Sequence, residues 1–123
     1  MITAKEILMG RDKQDPPTRE QLYNLLDLLP RLNYVRFKYG KPMKVTSGYR
    51  PPSFNVAAGG AKRSTHLELM ACDFADSNGE FAEWCLDNMS VLISAGLYME
   101  DPSRTPGWVH LQSRPTRSNP FTP

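Results

Sequence analysis

The sequence predicts an α+β fold in which a small antiparallel sheet packs against helices. Three observations point there. Residues 22–39 carry one apolar stripe at three- and four-residue steps, the mark of an amphipathic helix. Short segments at 43–47 and 71–75, with β-branched residues or two-residue alternation, read as strands. Two more strand segments, 97–100 and 108–112, flank a loop of turn formers, which is the pattern of an antiparallel hairpin.

Size and composition narrow the possibilities. At 123 residues the chain is expected to form one domain, with room for one core. Forty per cent apolar residues argue for a folded protein, and eleven prolines for several stiff loops. A net charge of +2, with no basic stripe interleaved with aromatics, argues against nucleic acid as a partner. No window is apolar enough to insert in a membrane. The start of the chain has no charged segment leading into an apolar run, so synthesis in a cytoplasm without a signal peptide is expected. That compartment favours two buried thiols at Cys72 and Cys85 over a disulfide. A monomer is expected.

In chain order, 2–10 reads as a short helix stopped by Gly10, and 11–17 as a polar loop. Thr18 and Gln21 form a capping-box pattern at the start of the long helix. Its stripe is Leu22, Leu25, Leu29, Leu32, Val35 and Tyr39, and Gly40 with Pro42 ends it. Pro30 interrupts the pattern and predicts a kink or break, because it cannot donate to the Leu26 carbonyl. Residues 48–63 form a long loop, which in a compact domain is usually functional or mobile. In 71–75, alternation puts Ala71, Asp73 and Ala75 on one face and Cys72 and Phe74 on the other. Residues 76–79 form a turn able to cap a helix at 80–88, with Phe81, Trp84 and Cys85 inward. Another helical turn at 91–95 ends at Gly96. The polar tail, 113–123, is expected to run along the surface.

Only two histidines occur, His66 and His110. A lone histidine is most often a hydrogen-bonded or surface residue, so the signal lies in the set. Two imidazoles with the carboxylate of Asp73, seven positions after His66, make a three-ligand group that suits Zn²⁺ and leaves a fourth position open. The same donor types also form the facial triad of non-haem iron oxygenases. Those sites commonly use a closer His-x-Asp pair, which is absent here.

Two motifs extend the set: Thr46-Ser47-Gly48-Tyr49-Arg50, and Ser64-x-His66 followed by Ala71 and Asp73, with His110 later in a strand. In these the chain resembles the zinc D-Ala-D-Ala carboxypeptidases and L-alanyl-D-glutamate endopeptidases, peptidase family M15, whose fold is shared with the hedgehog signalling domain. The resemblance runs from about residue 44 to 112, and the short build is similar to phage endolysins. It implies a hedgehog/DD-peptidase-like fold, and a zinc held by His66, Asp73 and His110. It also implies a peptidoglycan peptide as substrate, with Arg50 gripping its carboxylate. Ser64 and Tyr49 complete the candidate substrate-binding set, although packing is the commoner use of a tyrosine there. Trp108 and Trp84 are expected to pack. The protein would reach the cell wall after release by another factor, or ride in a phage particle.

The chain departs from that family at two positions. The glycine of the middle motif is Leu69, so the loop after His66 is expected to turn without a left-handed residue. Many members carry an acidic residue three positions before the last histidine; here it is Gly107, which cannot act as a base. The hairpin supplies a substitute. Pairing of 97–100 with 108–112 brings Glu100 opposite or next to His110, so Glu100 is the expected general base and Asp101 the second choice. The alternative is a catalytically inactive module that keeps the zinc and binds cell wall, or serves in a virion.

Overall fold

A computed structural model of the chain describes residues 1–51, 65–66 and 68–123. Among these, the order is α1 (Ala4–Leu8), α2 (Arg19–Tyr39), β1 (Val45–Ser47), β2 (Ala71–Ala75), α3 (Glu80–Asp87), α4 (Met89–Ala95), β3 (Tyr98–Met99) and β4 (Trp108–Gln112). The strands form one sheet in the order β1-β2-β4-β3, with every neighbouring pair antiparallel. This is the α+β arrangement the sequence predicts. Ser64 and most of the loop at 48–63 lie outside the described residues.

The helices begin where side chains can satisfy their free N–H groups. Thr18 and Gln21 cap α2 reciprocally, as their spacing predicts. Thr3 and Glu6 do the same for α1 in a second capping box. Asp76 accepts from the N–H groups of Phe81 and Ala82 and so caps α3 from the preceding turn.

Two expectations about α2 need correction. The helix runs through Pro30 without a break. Pro30 lies on the exposed side, and Leu26, whose carbonyl loses its partner, is 65% exposed, so solvent can hydrate that group. The buried stripe is Leu25, Leu28, Leu32 and Val35, while Leu22 is 41% exposed. Leucines stand on two neighbouring faces of α2, so spacing alone did not say which one meets the sheet.

The core lies between the sheet and the helices. Cys72 and Phe74 of β2, and Val109 and Leu111 of β4, meet Ile7, Leu28, Leu32, Cys85 and Leu92 there. Both thiols are free, and burial raises the pKa of each. The strand alternation that sends these residues inward turns Asp73, His110 and Gln112 to the other face.

The tail is not a surface strap. Phe121 is only 9% exposed and bridges Glu100 in parallel, its N–H donating to the Met99 carbonyl at 2.8 Å. Asn119 accepts from Met99 N–H and donates to the Leu97 carbonyl. The tail thus covers the edge of β3, which would otherwise present unpaired backbone groups. No helix among the described residues is long and apolar enough to cross a membrane.

The face assignment of α2 can be tested by truncation. Leu28→Ala is expected to lower unfolding free energy by roughly 2–5 kcal/mol, and Leu22→Ala by no more than about 0.5 kcal/mol, in urea titrations followed by circular dichroism. Equal losses would contradict the assignment.

Candidate metal centre

The site begins with strand register. β2 and β4 pair so that Asp73 stands directly opposite His110. Their side chains share the face away from the core, and His110 Nδ1 lies 2.8 Å from Asp73 Oδ1. The third donor arrives from a turn. His66 Nε2 lies 3.4 Å from Asp73 Oδ2. One donor atom from each of His66, Asp73 and His110 falls within a 4.8 Å group, and all three residues are buried.

The turn carrying His66 is held by backbone bonds: Arg50 N–H and Leu69 N–H both donate to the His66 carbonyl, and Met70 N–H to the Thr65 carbonyl. Leu69 has φ +57°, so the turn does use a left-handed residue, contrary to expectation. A left-handed non-glycine residue costs roughly 1–2 kcal/mol. The Leu69 side chain is fully buried in the core, and burying a leucine gains about 1.5–3 kcal/mol. The strain is therefore offset by packing that a glycine could not supply.

The Ser47-Gly48-Tyr49-Arg50 motif holds the other side of His66. The Gly48 carbonyl lies 2.9 Å from His66 Nδ1. A carbonyl only accepts, so Nδ1 carries a proton, and it is Nε2 that faces Asp73. A hydrogen bond of this kind fixes the orientation of a metal-binding imidazole. Gly48 must be a glycine because α1 crosses it: a Cβ there would stand 2.1 Å from the Ile7 carbonyl oxygen. The next residue confirms the contact, since Tyr49 N–H donates to that same oxygen at 2.7 Å.

Electrostatics follow from this packing. Burial alone would raise the Asp73 carboxyl, but hydrogen bonds from His110 and then His66 outweigh it and hold it well below the usual carboxylate range. Burial alone would lower the His110 imidazole; the bond to Asp73 reverses the sign and its pKa is raised. The cluster therefore holds a carboxylate that stays ionised, ready for a cation.

The three donors open into a cavity of about 400 Å³ whose other walls include Arg50, Glu100, Trp108 and Phe121. Glu100 N–H donates to the His110 carbonyl at 3.2 Å, which continues the β3–β4 register and puts the two residues opposite each other. Burial, the largest influence, raises the Glu100 carboxyl; His110 pulls it down in part and Asp73 pushes it up. Arg50 Nη2 lies 3.8 Å from Asp73 Oδ2 and donates to Ser47 Oγ at 3.1 Å.

Other candidates lie elsewhere. Asp101 caps the turn Pro102–Arg104 by accepting from Ser103 N–H and is not among the described residues lining the cavity. Tyr49 is buried in the core, its hydroxyl donating to the Asp15 carbonyl, so packing is its observed use. Trp108 reverses its expectation: it is part-exposed on the cavity rim rather than in the core.

The family model for Peptidase M15 matches residues 2–111. The chain belongs to the peptidase M15 family. No curated protein and no solved structure matches it. Membership supports a metallopeptidase, and the donor set fits the metal that such an enzyme needs: two imidazoles and an ionised carboxylate on one buried face. Gly107 of this M15 chain has φ +89°, a conformation that strains any side chain, so an acidic residue in its place would be disfavoured. Sequence reasoning missed Thr65, Gln112 and Phe121 at the cavity. The period-two pattern could have found Gln112, which shares a strand face with His110. Nothing in the sequence announces Phe121.

Gly48→Ala is expected to destabilise the protein by about 1–3 kcal/mol or more, the usual range for overpacking, because the added methyl meets backbone rather than a flexible side chain. Thermal unfolding of the variant measures this; an unchanged midpoint would mean that α1 does not dock as described.

Proposed function

We propose that this M15 chain is a zinc-dependent peptidase that cuts a peptide bond in peptidoglycan, in a stem peptide or a cross-link, in the manner of an endolysin. One observation carries the reading: Glu100 stands opposite His110 and faces the same cavity as the three donors. His66 Nε2, Asp73 and His110 Nδ1 would hold the zinc. When bound, zinc supplies a Lewis acid that polarises the scissile carbonyl and acidifies water.

The residues around it divide the remaining work. Glu100 takes the proton of the attacking water and delivers it to the leaving amine, and its raised pKa suits a group that must both accept and donate. Arg50, on the cavity wall, offers a planar guanidinium to a free carboxylate of the stem peptide. Ser64 is proposed to help orient the peptide by analogy with the motif. Asp101, capping its own turn, is the weaker choice for the base. Every group used comes from one chain, so a monomer suffices. Access to the wall would follow release by another factor, or carriage in a phage particle.

A second reading has one observation in its favour: Gly107 offers no acid where many family members have one. In that reading the protein holds zinc and binds cell wall, or serves in a virion, without turnover.

Digestion of purified peptidoglycan, with and without a chelator, tests both. New amino groups found by mass spectrometry, and lost with the chelator, are expected. His66→Ala should lose zinc and hydrolysis together. Glu100→Gln should keep zinc while hydrolysis falls by about 10²–10⁴-fold. A wild type that binds zinc yet releases no amino groups favours the inactive module. Iron instead of zinc in metal analysis would point to oxygenase chemistry.

A further inference from the structure

His110 has two ring nitrogens, and only one can serve a cation. Nδ1 faces Asp73, while Nε2 lies 2.8 Å from Gln112 Oε1. The assignment of that amide oxygen has a physical basis. The other end of the amide, Gln112 Nε2, donates to the Arg114 carbonyl at 3.0 Å. A flipped amide would set oxygen against oxygen there and turn a donor on His110. Thr65 Oγ1, beside His66, also donates to Gln112 Oε1, at 3.4 Å. Gln112 is only 5% exposed, so water does not compete freely for these bonds.

We infer that Gln112 is the positioning residue for His110: its amide, oriented by the Arg114 carbonyl, keeps a proton on Nε2 and leaves Nδ1 to ligate the cation. The inference rests on the zinc reading above. An oxygen that only accepts requires N–H on Nε2; Asp73 Oδ1 also only accepts, so a cation must take the place of the Nδ1 proton, and the imidazole that binds it then keeps its one proton on Nε2. Without the acceptor, both tautomers and ring rotations become available, and the metal must select among them. Outer partners of this kind typically matter by about 10–100-fold in metal affinity.

The test measures zinc binding, by competition with a chromophoric chelator, and the proton position, by long-range ¹H–¹⁵N spectra of zinc-loaded protein. Gln112→Leu, which removes the acceptor, is expected to weaken zinc binding by about 10–100-fold. The wild-type spectrum should place the His110 proton on Nε2. Unchanged affinity in Gln112→Leu, or a proton on Nδ1, would overturn the inference while leaving the zinc reading intact. A wild type that takes up no zinc would end both. If Gln112→Leu does not fold, the wild-type spectrum decides.

Discussion

The opposition of Asp73 and His110 across two antiparallel strands is the constraint on which the site depends. Directly opposed side chains in such a pair stand about 4.5–5.5 Å apart at Cβ, close enough for a carboxylate and an imidazole to share one cation. The register that creates this contact is fixed by what lies on the other face. Cys72 and Phe74 on β2, and Val109 and Leu111 on β4, are all buried in the core. A slip of one residue would expose that apolar set and turn the candidate donors inward. Core packing and the placement of the candidate donors are therefore one requirement.

Around that pair, each imidazole is held by an acceptor that comes from elsewhere in the fold. His66 gives its Nδ1 proton to the Gly48 carbonyl, and Gly48 is clamped by α1 through Ile7. His110 is held by the Gln112 amide, which bridges to Arg114. The N-terminal helix and the end of β4 thus act on the same small cavity. Asp73, between the two rings, is an ionised carboxylate because hydrogen bonds to both outweigh the cost of its burial.

The departures from the family pattern have local physical reasons. Leu69 takes a left-handed turn that glycine would take without strain, and its buried side chain offsets the cost. Gly107 holds a positive φ, and its carbonyl accepts from Asp76 N–H, while Asp76 in turn caps α3. A carboxylate for the cavity comes instead from Glu100 on the neighbouring strand, beside an edge that the tail covers through Asn119 and Phe121.

The amino-acid sequence by itself determined the α+β class, the capping of α2, the alternation that frees Asp73 from the core, and the chemistry of the three candidate donors. These follow from local rules: helical and strand periods, reciprocal caps, and the donor chemistry of histidine and aspartate. Only the tertiary structure decided which leucine face of α2 is buried, that Pro30 leaves the helix unbroken, and that Tyr49 packs while Trp108 borders the cavity. It alone decided that Gln112 meets His110, and that the tail forms a wall of the site. Those outcomes depend on contacts between residues far apart in the chain, where several local choices are nearly equal and the packing of one element against another selects among them.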